Sequence, residues 1–177
     1  MKDIINRLFA FILFLSLIPL LIIVSLCIVI FDKSLPIFIQ NRVGLNRIEF
    51  KIYKFRSMKN QSPTVFGKII RKTGIDELPQ LLNIIKGNIN FIGPRPLTQI
   101  DIKRLDWEGN YYDFRWRIKP GLTGLAQLSP ICHKKMSLFL DKYYINNQSL
   151  FLNLKISFAS IFILFLGKNR LKKIISK

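Results

Sequence analysis

The sequence predicts an α+β chain, mostly helical, with an apolar N-terminal membrane helix and a small β-hairpin leading into a compact domain. Three observations carry this. Leu8 to Phe31 runs for 24 residues without a charge. Two short strand-like stretches flank Gly44-Leu45-Asn46, which supplies turn chemistry. The remainder is a series of segments with apolar residues at helical spacing, punctuated by glycine and proline. This gives two domains: residues 1-33 as the membrane helix, and 34-177 as a membrane-associated domain.

Charge narrows the partners. Lys and Arg number 28 against 10 Asp and Glu, a formal net charge of +18. A field of that sign attracts polyanions: nucleic acid, anionic headgroups or phosphorylated substrates. The apolar run favours membrane and lipid phosphate, so nucleic acid is not the expected partner. Cys27 and Cys132 form no disulfide framework or metal-ligand spacing, which fits a reducing compartment. His133 is the only histidine and reads as a surface residue.

The apolar run would measure roughly 36 Å as a helix, long enough to cross a bilayer. It is too long for a signal-peptide core, and no small-residue cleavage site comes after it. Pro19 near its middle removes a backbone hydrogen bond and predicts a kink. Both flanks are basic: Lys2 and Arg7 before, Lys33, Arg42 and Arg47 after. A positive flank belongs in the cytoplasm, and here both qualify. Two readings stay open from the residues alone. One is a helix that breaks at Pro19 and returns to the same face. The other is a single crossing with a mild bend.

Downstream, Pro36 to Gln40 and Glu49 to Met58 read as strands of a hairpin, and Asn60 to Thr64 as a polar loop. Phe66 to Lys72 reads as a short basic helix. Leu78 to Lys86 carries Leu78, Leu81, Leu82 and Ile85 at helical spacing and stops at Gly87. Ile89 to Ile92 is short and apolar, and 98-118 a charged, aromatic helical stretch. Lys119-Pro120-Gly121-Leu122 suits a type II turn. Ser137 to Tyr144 and Leu150 to Leu166 are helical. The latter is apolar from Ile156 onward, too short to span but able to lie on a bilayer beside the basic tail.

The residues that could carry chemistry cluster in two segments. In Gly74-Ile75-Asp76-Glu77-Leu78-Pro79, Asp76 suits a helix N-cap, with Pro79 in the first turn. The plain reading is a cap and a first-turn acid that complements the helix dipole. The chemical reading notes Arg71 and Lys72 just upstream. A carboxylate beside several cations stays charged, and can attack phosphorus or hold a hard divalent cation. In Gly93-Pro94-Arg95-Pro96, the prolines stiffen the backbone around Arg95, which suits a bidentate phosphate clamp. Lys54 and Arg56 alternate with Tyr53 and Phe55, so both cations should share a strand face.

Together these segments resemble the bacterial sugar transferase family of monotopic phosphoglycosyl transferases. The resemblance covers most of the chain. It rests on the proline-bearing apolar segment, Gln40-Asn41-Arg42-Val43-Gly44 and Ile52-Tyr53-Lys54-Phe55-Arg56-Ser57-Met58. It continues in Asp76-Glu77-Leu78-Pro79-Gln80-Leu81, Gly93-Pro94-Arg95-Pro96, Lys119 through Gln127, and Asp141-Lys142-Tyr143-Tyr144. The resemblance implies a re-entrant membrane helix, surface-lying amphipathic helices and residence on the cytoplasmic face of a bacterial inner membrane. It also implies an Asp76-Glu77 catalytic dyad with Mg2+, a UDP-sugar donor and a polyprenyl phosphate acceptor. In it the aspartate attacks phosphorus, expels UMP, and the sugar phosphate passes to the lipid. Arg71, Lys54 and Arg95 fall on motif positions suited to substrate phosphate, and Arg56 is counted as substrate-binding with them for its place beside Lys54.

The chain departs from the family pattern in places. Leu128-Ser129-Pro130-Ile131 stands where a Gly-Arg pair is usual, so an arginine expected near position 131 is missing. Lys134 or Lys135 is the candidate substitute. Ala10 replaces an aspartate, Ile18 replaces the serine before the proline, and the loop between Met58 and Phe66 is short. The lost arginine leaves a rival expectation: a catalytically weak membrane scaffold with the same fold.

Overall fold

The computed structural model describes residues 2-129 and 133-166. Ile131, Cys132 and the basic tail from Gly167 lie outside the described residues. The chain divides into two compact units: 1-40 with 51-87, and 41-50 with 88-177.

In the first unit, α1 (Lys2–Asp32) is one element with Pro19 inside it. It is the one helix among the described residues long and apolar enough to cross a membrane, by length and composition. The strands β1 (Ile37–Val43) and β2 (Glu49–Phe55) form the expected hairpin, whose tip, 41-50, is counted with the second unit. The turn between them bends through Asn46 and Arg47, whose φ of 53° and 60° lie in the left-handed region. The segment expected as a loop after Met58 is instead a tight antiparallel pair, β3 (Met58–Lys59) with β4 (Ser62–Pro63). Asn60 and Gln61 turn it with positive φ, a geometry that asparagine tolerates better than most residues. Then come α2 (Val65–Thr73), a 3-10 turn (Ile75–Gln80) and α3 (Leu81–Lys86).

Several partners hold α1 along its length. Val24 and Ile28 bury against Phe55 of β2 and Ile70 of α2. At its C-terminal end Asp32 Oδ2 accepts from Thr64 Oγ1 at 2.6 Å. The same threonine hydroxyl caps α2 by accepting from Gly67 N at 2.9 Å. Near the N-terminal end the Arg7 guanidinium lies where a Cβ on Gly87 would fall. Gly87, at φ 79°, closes α3. Both ends of α1 are therefore held by one unit. Between them Phe14, Ile18 and Leu21 of α1 line an apolar cleft of about 340 Å³, with Phe55, Pro79 and Leu82 on its other walls.

In the second unit, β5 (Asn90–Ile92) pairs in parallel with β6 (Gly121–Thr123). Between them lie α4 (Gln99–Leu105) and a 3-10 segment (Asn110–Trp116). The stretch 98-118 is thus two pieces rather than one helix. Asp106 ends α4 in the left-handed region, and Gly109 precedes the next turn. Gly121 does not occupy the third position of a type II turn, because its φ is not positive. It opens β6 instead, where its N–H donates to Pro94 O at 2.9 Å and a Cβ would strike Gly93 N. Glycine is needed there for close approach rather than for its φ. After α5 (Leu125–Leu128) come α6 (Lys134–Asn146) and α7 (Leu150–Leu166), the last within its predicted bounds. Val43, Leu97, Ile102, Trp107 and Trp116 make this unit's core. On α7, Phe151, Phe158 and Phe162 remain exposed while Ile156 is buried.

Candidate functional site

The acid pair sits in the first unit, just after the glycine that ends α2. Gly74 ends α2 with φ 72°, a conformation costly for any other residue. Gly74, not Asp76, is the N-cap of the 3-10 turn, and Asp76 lies inside that turn with Glu77. The N-cap reading of Asp76 is therefore corrected: the side chain is left free of capping duty. Pro79 falls near the end of this turn, just before α3, rather than in a first helical turn.

Asp76 is buried and Glu77 half-exposed. Lys54, on β2, donates from Nζ to Glu77 Oε1 at 2.7 Å. Burial pushes the Asp76 carboxyl above the ordinary carboxylate range, and the neighbouring Glu77 charge adds to this. Lys54, Arg71 and the backbone pull it part of the way back. Arg71, in the last turn of α2, is exposed and acts on Asp76 by its charge. The structure thus brings Asp76, Glu77, Lys54 and Arg71 together.

Arg56 goes elsewhere. It lies one residue past β2, and its guanidinium donates to Leu35 O at 2.9 Å and Ile37 O at 3.4 Å. The expectation that Lys54 and Arg56 share a face fails because the strand ends at Phe55. Past that point alternation no longer dictates direction, and the Leu35 and Ile37 carbonyls capture the arginine.

Arg95 belongs to the second unit, on a turn whose carbonyls are each held. Pro94 O accepts from Gly121 N at 2.9 Å, and Leu97 O from Val43 N at 2.8 Å. Arg95 O accepts from Arg115 Nη2 at 2.6 Å, and Pro96 O from Arg42 Nη1 at 3.2 Å. Arg115 also donates from Nε to Asp141 Oδ2 at 2.7 Å, both side chains being only 3% exposed. Its guanidinium lies 5.3 Å from the Trp107 ring centroid. Four consecutive carbonyls are fixed while the Arg95 side chain stays exposed. A backbone so held presents one cation in a set direction.

No group of three His, Cys, Asp or Glu with metal-binding geometry occurs among the described residues. The two carboxylates of Asp76 and Glu77 suit a hard ion that takes one or two protein carboxylates and completes its shell with phosphate oxygens and water. Sequence reasoning missed Asn83, Arg42 and Arg115 as holders of these segments. Asn83 and Arg115 leave no periodic signal, because each acts on backbone far away in the chain. Arg42 stood in a motif that resembles the family's, which could have drawn attention to it.

The sequence profile of the family described as bacterial sugar transferase matches residues 1–167. An Aeromonas hydrophila protein named UDP-N-acetylgalactosamine-undecaprenyl-phosphate N-acetylgalactosaminephosphotransferase is 36% identical over 162 residues, 81% of this chain and 38% of that protein. The uncharacterized sugar transferase EpsL of Bacillus subtilis is 39% identical over 140 residues, 68% of this chain and 66% of EpsL. A Klebsiella pneumoniae UDP-glucose:undecaprenyl-phosphate glucose-1-phosphate transferase is 31% identical over 172 residues, covering 85% of this chain and 37% of its own. The chain spans less than two thirds of the length of each of these relatives.

Proposed function

This chain belongs to the bacterial sugar transferase family, and we propose that it transfers a sugar 1-phosphate from a UDP-sugar to polyprenyl phosphate, releasing UMP. The observation that carries the reading is the buried Asp76 carboxyl beside Glu77, with Lys54 and Arg71 in electrostatic reach. An Asp76 oxygen bonds to the sugar-bearing phosphorus as the phosphoanhydride bond breaks and UMP leaves. An oxygen of polyprenyl phosphate then attacks the same phosphorus, forms the lipid diphosphosugar and frees Asp76. Lys54 and Arg71 offset the charge that gathers on the phosphoryl oxygens. Burial keeps Asp76 poorly solvated and hence more nucleophilic than a carboxylate in water. Arg95, on its fixed turn, is the proposed phosphate-binding arginine of the second unit, whereas Arg56 supports backbone. Mg2+, held by Asp76 and Glu77, would neutralise the diphosphate.

The lipid side of the reading rests on α1. The apolar cleft reaches Pro79, three residues past Asp76, so a polyprenyl tail lying there would bring its phosphate toward the acid pair. That one unit holds both ends of α1 supports a monotopic seat with both ends on the same side, and the basic flanks favour the cytoplasmic face of the inner membrane.

Assaying UMP release by the full chain against a panel of UDP-sugars, with polyprenyl phosphate and Mg2+, tests the reading. UMP release that needs the acceptor and is lost in Asp76→Asn supports it, because the amide keeps the shape and cannot act as the nucleophile. Near-normal release by that variant removes Asp76 as nucleophile. Absence of release with every donor favours the scaffold reading, for which the missing arginine near Ile131 is the motive.

A further inference from the structure

Asn83, on α3, is completely buried, and its side-chain amide faces the backbone of β2. Its Oδ1 accepts from Tyr53 N at 3.1 Å, and its Nδ2 donates to Lys51 O at 2.7 Å. A residue of a parallel strand makes this same pair of bonds, one to the carbonyl before and one from the N–H after its neighbour. The amide thus stands in for a third strand, centred on Ile52. One helical turn later Lys86 Nζ donates to Tyr53 Oη at 2.9 Å and lies 4.6 Å from that ring's centroid.

These contacts have a consequence for the acid pair. The 3-10 turn carrying Asp76 and Glu77 runs directly into α3. Lys54 comes directly after Tyr53 on β2. Asn83 therefore joins the two segments whose side chains must meet in the Lys54–Glu77 ion pair. A half-exposed lysine pair holds weakly by itself. A buried amide bonded at both ends does not slide, because slipping would leave Tyr53 N–H and Lys51 C=O unsatisfied.

We propose that Asn83 is a positioning residue that sets the register of the acid segment against β2, so that Lys54 meets Glu77. This rests on the proposed role of the acid pair. Asn83→Leu keeps the branching and heavy-atom number of the side chain, adds bulk and deletes both bonds. Its effect on turnover is read alone and together with Lys54→Met, with melting temperature measured on all four proteins. The expected result is a tenfold or greater fall in kcat with little change in KM for the UDP-sugar. In the Lys54→Met background the same change should cost less than twofold in kcat, while the fall in melting temperature differs between the backgrounds only by the small contribution of the ion pair. An equal loss of kcat in both backgrounds means a purely structural role and overturns the proposal, as does unchanged kcat in Asn83→Leu. Asn83→Asp, of equal size and retaining the acceptor for Tyr53 N–H, takes its place in the cycle if the leucine variant does not fold. If the wild-type chain releases no UMP, the functional reading fails separately. The register is then read as thermal coupling between Lys54→Met and Glu77→Gln. Coupling that is present in the wild type and absent with Asn83→Leu upholds the proposal; coupling that persists overturns it.

Discussion

Two ion pairs of the same 2.7 Å length organise the two units, and they are built for different ends. Lys54–Glu77 leaves its side chains 20% and 38% exposed, whereas Arg115–Asp141 leaves 3% of each. Water can take over either half of the first pair, so a diphosphate or a cation can displace it at low cost. Water cannot reach the second, and breaking it strands a charge in the core. Arg115 also holds the Arg95 carbonyl, so this rigid pair is tied to the backbone that presents an exposed arginine. Where a side chain must exchange partners, the protein keeps the pair near solvent and fixes the backbone beneath it. Where a backbone must stay put, it buries the charges.

The largest effect that would break this contrast is on stability in the second unit. Asp141→Ala should destabilise by about 3–5 kcal/mol, since the Arg115 charge stays buried without its counter-ion. Replacing both partners, Asp141→Leu with Arg115→Met, should cost far less. Thermal or denaturant unfolding of the full chain measures both. Equal losses in the single and double variants would mean that the pair is not an uncompensated-charge problem at all.

The first unit should answer in the opposite sense. Lys54→Met should change stability by less than about 1 kcal/mol, as befits a pair near solvent. Turnover should fall by about a hundredfold if the lysine stabilises developing phosphoryl charge. UMP release and a melting curve on one preparation suffice. A variant that loses stability and keeps turnover would reduce Lys54–Glu77 to an architectural pair like the other.

How far the sequence disclosed these two regions depends on the range of the interactions. The uncharged run, the apolar Leu150–Leu166 helix and the Gly87 stop are written in neighbouring residues, and all three stand where the pattern puts them. The acid pair was legible as a candidate, but its local geometry was not. Gly74 takes the cap because α2 runs up to it, which Asp76 and Pro79 alone do not reveal. Gly121 reads as a turn residue beside Pro120, yet a strand partner thirty-one positions earlier decides its conformation. Asn83 looks like any polar residue of an amphipathic helix until β2 is laid against it. Arg115 looks like a surface cation until Asp141 is found beside it. Contacts between segments remote in sequence leave no period in either segment.

The smallest expected effect sharpens the comparison by its sign. Burial, with the Glu77 charge, holds Asp76 above the ordinary carboxylate range. Asp101 in the second unit is also partly buried, which alone would raise it. The Thr98 hydroxyl and N–H, with Arg42 and Arg104, outweigh this and hold it below that range. A carboxyl depressed in the fold contributes stability at pH values above its unfolded pKa of about 3.9, and loses it as pH falls through its folded value. A raised carboxyl does the reverse: its charge costs stability at neutral pH, and the cost disappears as pH falls through its folded value. At pH 7, therefore, Asp76→Asn should melt slightly higher than the wild type, and Asp101→Asn lower. On acidification both differences should shrink. The Asp76 difference should close first, because its proton binds at the higher pH. Melting curves of the three proteins from pH 7 to below pH 3 measure this, the Asp101 difference holding until the pH falls under its unfolded pKa of about 3.9. A lower melting temperature for Asp76→Asn at pH 7 would show that the neighbouring cations outweigh burial, making the acid pair a stabilising ion cluster rather than a strained site.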